Sequence, residues 1–213
     1  MSRDRYERIK RVLDVTVAAL VLVLAAPVMA ATALAIALTM GRPVLFRQSR
    51  PGLHGELFEL VKFRSMRAEG DPLSPLHDAR RMTPLGRWLR ATSLDELPSL
   101  WNVLRGDMSL VGPRPLLPQY VPRYTAEQFR RHEVRPGVTG LQQVRGRNAL
   151  AWEERFVLDV WYVEHRSLLL DLRILAWTVV TVLRRDGITA PGSATAHEYR
   201  GVPVPDRTRE PAR

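Results

Sequence analysis

The chain of 213 residues contains no cysteine, which excludes disulfides and thiolate-held metal sites. It has no Gly-x-Gly-x-x-Gly fingerprint and no Gly-x-x-x-x-Gly-Lys loop, so neither a dinucleotide enzyme nor a P-loop ATPase is supported. No Gly-x-Ser-x-Gly elbow and no internal repeat occurs. His54, His77, His132, His165 and His197 are scattered without metal-ligand spacing. Negative charge is in short supply: 22 acidic residues face 32 basic ones, giving a net charge of +10. That excess implies an anionic partner, which is phosphate, nucleic acid or an anionic membrane surface. Charge is missing altogether from one long stretch, Val15 to Met40. A hydrophobic content of 46% is enough for a packed core, and the length suits one domain plus a terminal appendage.

What is present centres on Ser93 to Pro115, where two adjacent carboxylates, Asp95 and Glu96, open a helical pattern and a Gly-Pro-Arg-Pro turn closes it. Leu97, Leu100, Trp101 and Leu104 recur at helical spacing. Ser93 and Glu96 have capping-box spacing, but Pro98 is safe only near a helix start. Either a short turn precedes the helix or the helix begins near Pro98, and both place the pair at a helix N-terminus. There the dipole favours ionised carboxylates. An ionised Asp can be a nucleophile or a ligand for a hard cation, and a neighbouring carboxylate can serve as acid, base or second ligand. Acidic residues are also common in the first turn of ordinary helices, so the pair alone does not establish a site.

The uncharged run is long enough to span a bilayer and too long for an ordinary signal peptide. Arg8, Lys10 and Arg11 precede it, and Arg42, Arg47 and Arg50 follow it. Basic flanks mark the cytoplasmic side, so two such flanks favour a helix that enters, breaks at Pro27 and returns. An ordinary kinked anchor is the alternative. Gly41 to Met66 reads as a β-hairpin turned at Pro51-Gly52 and Gly55 and ending in Lys62-Phe63-Arg64. Residues 67–83 read as a loop. An amphipathic element with Leu85, Trp88 and Leu89 follows, suited to a membrane interface or a core. Tyr120 to His132 reads as helical. Arg135 to Gly140 reads as a turn-rich loop leading to Arg145 and Arg147, where glycines beside guanidinium forks suit an anion. Trp152 to Tyr162 and Leu168 to Leu183 read as helices, the second too short in its uncharged part to cross a bilayer. From Ile188 onward the composition reads as a mobile tail.

Together these pieces describe a site for a phosphate-bearing substrate at a membrane surface. Val61-Lys62-Phe63-Arg64-Ser65-Met66, Leu94-Asp95-Glu96-Leu97-Pro98, Asn102-Val103-Leu104-Arg105-Gly106-Asp107-Met108-Ser109, Val111-Gly112-Pro113-Arg114-Pro115 and Arg135-Pro136-Gly137-Val138-Thr139-Gly140 stand in that order. With them the chain, from Lys10-Arg11-x-x-Asp14 to about Gly187, resembles the bacterial sugar transferase family, specifically its small monotopic phosphoglycosyl transferases. The resemblance implies transfer of a sugar 1-phosphate from a UDP-sugar to undecaprenyl (polyprenyl) phosphate with release of UMP. It implies a covalent phosphosugar on Asp95, as the first membrane step of bacterial glycoconjugate or exopolysaccharide synthesis. Carried over, Asp95 is the nucleophile and a Mg²⁺ ligand, and Glu96 is an acid–base or metal-supporting partner. Lys62, Arg90 and Arg114 fall on substrate- or phosphate-contacting positions; Arg64, Arg145 and Arg147 are further candidates. Pro27 falls where the family breaks its re-entrant helix. Ala26 stands where some relatives have Ser, and Gln142 where many have Ala.

The implied fold is α+β and mainly helical. A membrane-inserted re-entrant helix-break-helix covers residues 1–40. A cytoplasmic catalytic domain covers 41–187, with a small β-hairpin and interfacial amphipathic helices. A flexible tail covers 188–213. The expected location is the cytoplasmic face of the cell inner membrane, monotopic and in contact with lipid, as the minimal catalytic form. A homo-oligomer and downstream glycosyltransferases are left open as partners. Nucleic acid is not an expected partner, because the arginines cluster in turns beside carboxylates and no binding motif occurs. A non-catalytic membrane scaffold is the remaining rival.

Overall fold

The computed structural model describes residues 3–67, 81–146 and 150–184, together with Tyr199 and Gly201. One helix dominates: α1, Arg3–Met40, of 38 residues. The expected break at Pro27 is not an interruption, since α1 continues through it. A proline removes one rung of the hydrogen-bond ladder, and the turns on either side hold the helix. The middle of α1 is exposed, with Val23 at 72% and Leu24 at 69%, whereas Ala18 and Ile36 are fully buried. Ala18 joins a central core with Leu100, Val103 and Ile174. Ile36 joins a second cluster with Phe63 and Leu89. The two ends of the apolar run therefore each set a buried residue into the same globular body, while Leu20, Leu34 and Leu38 stay exposed like the middle.

The hairpin expected over 41–66 forms: β1, Leu45–Pro51, pairs antiparallel with β2, Leu57–Phe63, across a short 3-10 turn, Leu53–Gly55. Helix α2, Pro84–Thr92, starts at Thr83, whose hydroxyl accepts from the Gly86 N–H at 2.9 Å. A 3-10 turn, Leu94–Ser99, follows, and then α3, Leu100–Arg105. The capping box expected of Ser93 does not form. Ser93 adopts a left-handed conformation (φ 57°) that ends α2, and its side chain caps nothing. Of the two readings of Pro98, the short turn before the helix is the one realised.

Two stretches differ from their sequence reading. Residues 120–132 form two 3-10 turns, Pro118–Arg123 and Arg130–Glu133, around a single turn of helix, α4, Ala126–Phe129. Pro118 and Pro122 withhold the N–H groups that a longer helix needs. Within the segment read as a loop, Gly137–Thr139 is a strand, β4, parallel to β3, Ser109–Val111. This pairing brings backbones into tight contact: a Cβ on Gly137 would fall 2.1 Å from the Gly112 nitrogen, so only glycine fits. Helices α5, Leu141–Arg145, α6, Trp152–His165, and α7, Leu168–Arg184, complete the body. The loop read over 67–83 falls largely outside the described residues, as does the tail from Ile188 except for Tyr199 and Gly201. Tyr199 is only 2% exposed, which a mobile tail does not anticipate.

A polar stripe ties α1 to this body. Tyr6, Lys10 and Asp14 recur every four residues and so share one helix face. The Tyr6 hydroxyl and the Lys10 ammonium donate to Asp171 at 2.9 and 3.0 Å. Asp14 accepts from the Ser109 hydroxyl at 2.7 Å and from the Leu110 N–H. Tyr162 donates to the other Asp171 oxygen at 2.7 Å. All of these side chains are buried, and a buried charge that loses its partner is costly. Asp171→Ala is expected to destabilise the detergent-solubilised protein by about 3–5 kcal/mol, read as a lowered thermal midpoint.

Candidate active site

Three segments converge on the acidic couplet: β2, the 3-10 turn Leu94–Ser99, and the loop that leaves β3. In a 3-10 turn, side chains three apart eclipse. Leu94, Leu97 and Leu100 accordingly fall on one side, Leu94 against the Phe63–Leu89 cluster and the other two in the central core. Ser99 secures the turn by donating its hydroxyl to the Glu96 carbonyl at 2.6 Å. With the leucines inward, Asp95 and Glu96 are left to the polar side.

Glu96 is doubly paired. Its Oε1 accepts from Lys62 Nζ at 2.7 Å and from the Arg114 guanidinium at 3.0 Å. Burial alone would raise its pKa, but these two cations outweigh burial and hold it well below the usual carboxylate range. Lys62 is shifted down by burial, with Glu96 opposing that shift. Asp95 is the contrast. Among the described residues it makes no hydrogen bond and no ion pair of its own, although it is only 8% exposed. Burial and then the Glu96 charge push its pKa up to about 6, against the pull of Lys62, Arg90 and Arg114. The site therefore holds one carboxylate fixed as a counter-ion and one left available.

Supporting residues set these positions. The Asn102 side chain, fully buried on α3, accepts from the Val61 N–H at 3.1 Å and donates to the Glu59 carbonyl at 2.7 Å. It thereby locks β2, and Lys62 with it, against the couplet's own segment. Arg90 donates to the Ser65 hydroxyl at 2.9 Å and to Met66 Sδ, and its charge reaches Asp95. Arg131 donates to the Arg114 carbonyl at 2.6 Å and to Asp159 at 2.6 and 3.1 Å.

Lys62, Arg90, Arg114, Asp95 and Glu96, named from the sequence, thus come together. Others go elsewhere. Arg64 directs its guanidinium at the carbonyls of Met40, Gly41 and Arg42, and so caps the C-terminal end of α1. Arg145 lies over the Trp177 ring at 5.4 Å. Arg147 lies outside the described residues. Pro27 sits in the exposed middle of α1.

Arg50 was not singled out by sequence reasoning. Its Nη1 donates to the Pro115 carbonyl at 3.2 Å and its Nη2 to Gln48 at 2.5 Å, while its buried Nε has no partner. Burial and the Arg114 charge lower its pKa to about 10. The Arg50 and Arg114 charges oppose each other, and an anion near both would relieve that opposition. The only signal for Arg50 in the sequence is a basic residue at a strand end, which usually faces solvent.

An available carboxylate walled by cations, on a body that holds both ends of a bare apolar helix, defines a membrane-associated enzyme acting on an anionic substrate. The chain belongs to the bacterial sugar transferase family, whose model matches residues 5–185. It is 50% identical over 194 residues to the uncharacterized sugar transferase EpsL of Bacillus subtilis, covering 91% of this chain and 96% of that one. It is 45% identical over 188 residues to a UDP-glucose:undecaprenyl-phosphate glucose-1-phosphate transferase of Caulobacter vibrioides (83% and 70% covered). It is 40% identical over 197 residues to an undecaprenyl-phosphate galactose phosphotransferase of Salmonella typhimurium (84% and 41% covered).

The raised Asp95 pKa has a thermodynamic consequence. The folded state holds a proton on Asp95 that the unfolded state releases near the ordinary aspartate value of 3.8. Stability therefore falls as pH rises from about 4 to about 6 and stays lowered above that. Asp95→Asn is expected to stabilise the protein at pH 7.5, by up to about 3 kcal/mol, and to lose that advantage near pH 4. Thermal melts of both proteins across this range check it.

Proposed function

We propose that this chain moves a sugar 1-phosphate from a UDP-sugar to undecaprenyl phosphate through a covalent phosphosugar on Asp95. The observation that carries this reading is the division of labour in the couplet: Glu96 neutralised by Lys62 and Arg114, Asp95 without a partner among the described residues. An ionised Asp95 oxygen attacks the sugar-bearing phosphorus. The bond from that phosphorus to the bridging oxygen breaks, and UMP leaves with the electron pair. An oxygen of the lipid phosphate then attacks the same phosphorus, which releases Asp95 and forms the lipid-linked sugar diphosphate. Two successive displacements let a water-soluble donor and a lipid-anchored acceptor use one site in turn. Lys62, Arg90 and Arg114 supply positive charge where negative charge accumulates. The Caulobacter and Salmonella relatives are both named for an undecaprenyl-phosphate acceptor, which supports that acceptor here. They name glucose in one case and galactose in the other, so they do not select the sugar.

The site suits Mg²⁺. Among the described residues no cluster of three or more His, Asp or Glu side chains is arranged to hold a metal, but Mg²⁺ commonly takes one or two carboxylates and completes its shell with substrate phosphates and water. Asp95 would hold it, since Glu96 Oε1 already accepts from Lys62 and Arg114. The ion would supply further neutralisation of the donor's diphosphate.

The proposed membrane placement is supported by α1. The described part contains one helix long and apolar enough to cross a bilayer. Both ends of its apolar run pack on the same body, with Ala18 at one end and Ile36 at the other. That arrangement supports a re-entrant helix, with the body on the cytoplasmic face of the inner membrane. Exposed Trp88, Trp101, Trp161 and Trp177 suit the headgroup zone.

Two experiments test the reading. UMP release from UDP-glucose or UDP-galactose with undecaprenyl phosphate and Mg²⁺ is expected for the wild type. Asp95→Asn is expected to lower it at least about 10³-fold, chelation to abolish it, and kcat/KM to rise with pH through about 6 as Asp95 ionises. An Asp95→Asn protein as fast as wild type contradicts the assignment. Cysteines introduced at Ser2 and Ser49 are expected to be labelled from the same, cytoplasmic side; labelling from opposite sides means a straight span.

A further inference from the structure

The family match ends at residue 185, yet Tyr199 completes an aromatic assembly with Tyr120, Tyr124, Trp152 and Phe156. Its ring is 2% exposed. It meets Phe156 edge-on at 5.0 Å and Tyr120 edge-on at 5.8 Å, and lies 5.4 Å from Trp152 and 5.9 Å from Tyr124. Such edge and tilted geometries are favourable for aromatic pairs. The Tyr199 hydroxyl donates to Gln128 Oε1 at 2.9 Å and lies 3.2 Å from the Arg123 carbonyl. The Tyr199 carbonyl accepts from the Arg123 guanidinium. Gly201, in a left-handed conformation at φ +87°, rests against the Arg123 side chain.

The residues that Tyr199 touches lead back to the active site. Tyr120 and Tyr124 belong to the segment that follows Arg114 directly in the chain. Tyr124 and Phe156 also flank the Arg131 guanidinium, at 6.0 and 5.6 Å from their ring centres. Arg131 is buried with Asp159 and donates to the Arg114 carbonyl at 2.6 Å. Arg114 in turn donates to Glu96. Tyr199 is therefore three contacts from the backbone of the arginine that pairs with Glu96.

We propose that Tyr199 is a positioning residue: a latch from beyond the family's common core that wedges between the 118–123 turn and α6, keeps Arg131 in place, and so holds Arg114 aimed at the donor's diphosphate. The inference rests on the transferase reading for its substrate but not for its geometry. It has a specific kinetic signature. Lys62 comes from β2 and Asp95 from the 94–99 turn, neither of which Tyr199 touches. Loss of the latch should weaken anion binding and leave the attacking carboxylate where it is.

The test uses the full chain in detergent. Inorganic pyrophosphate affinity is measured by titration calorimetry, and KM and kcat with UDP-glucose or UDP-galactose. Tyr199→Ala is expected to raise the pyrophosphate Kd and the donor KM about tenfold, with kcat within about threefold. Tyr199→Phe keeps the ring packing and is expected to stay within about threefold of wild type in all three. If Tyr199→Ala does not fold, Tyr199→Leu fills the volume without the ring contacts and decides the question by the same measurements. A folded Tyr199→Ala, or Tyr199→Leu in its place, with a lowered melting temperature but wild-type Kd and KM overturns the proposal and leaves Tyr199 a stability residue. A wild type that binds pyrophosphate but transfers no sugar phosphate overturns the transferase reading, while a raised Kd in the variant still upholds the latch.

Discussion

Glu96, held between Lys62 and Arg114, is the interaction on which the rest of the site depends. It joins a residue of β2, a residue of the 94–99 turn and a residue of the loop after β3. A partly buried ion triad of this kind contributes little net stability, because desolvation offsets much of the attraction. Its effect is on position and on proton affinity. It consumes Glu96 as a counter-ion, presents two cations on one side of the couplet, and leaves Asp95 beside a fixed negative charge that raises its pKa. The result is a carboxylate that is ionised at neutral pH, short of partners, and close to cations that would receive a phosphate.

The fold ties this triad to the apolar helix. Along α1, Tyr6, Lys10 and Asp14 turn one polar stripe to the body, and Asp14 grips β3 through Ser109 and Leu110. A few residues after β3 the chain reaches Arg114. The apolar helix and the arginine are therefore linked through one short strand. Further along, Ile36 packs on Phe63 and Leu89, which lie beside Lys62 and Arg90 in the chain. The same helix braces the site from both ends of its apolar run, so in the proposed membrane placement the helix sets the depth of the couplet.

Much of this was legible in the residues. Asp95, Glu96, Lys62 and Arg114 stand out because each is a charge set among apolar neighbours or turn residues, and the hairpin and the helices α2, α6 and α7 carry clear periodicity. What escaped depends on contacts between distant segments. The β3–β4 pair has strands of three residues, too short for an alternating pattern, and its tight approach shows only as Gly112 and Gly137. Arg64 reads as a phosphate ligand from its neighbours, but a helix end also presents unpaired carbonyls, and α1 uses the guanidinium for that. Asn102 and Arg50 act through partners that no local pattern reveals. Tyr199 lies in a stretch whose composition reads as tail, and only the five-ring assembly around it shows otherwise.

The central claim is that Asp95 becomes esterified to a sugar-bearing phosphate. The most direct measurement is mass spectrometry of the Asp95-containing peptide after incubation with UDP-glucose or UDP-galactose alone, without lipid acceptor, and rapid quenching. The mechanism predicts a peptide heavier by one hexose phosphate, with the modification on Asp95. An unmodified peptide, from enzyme that turns over once undecaprenyl phosphate is added, would contradict it.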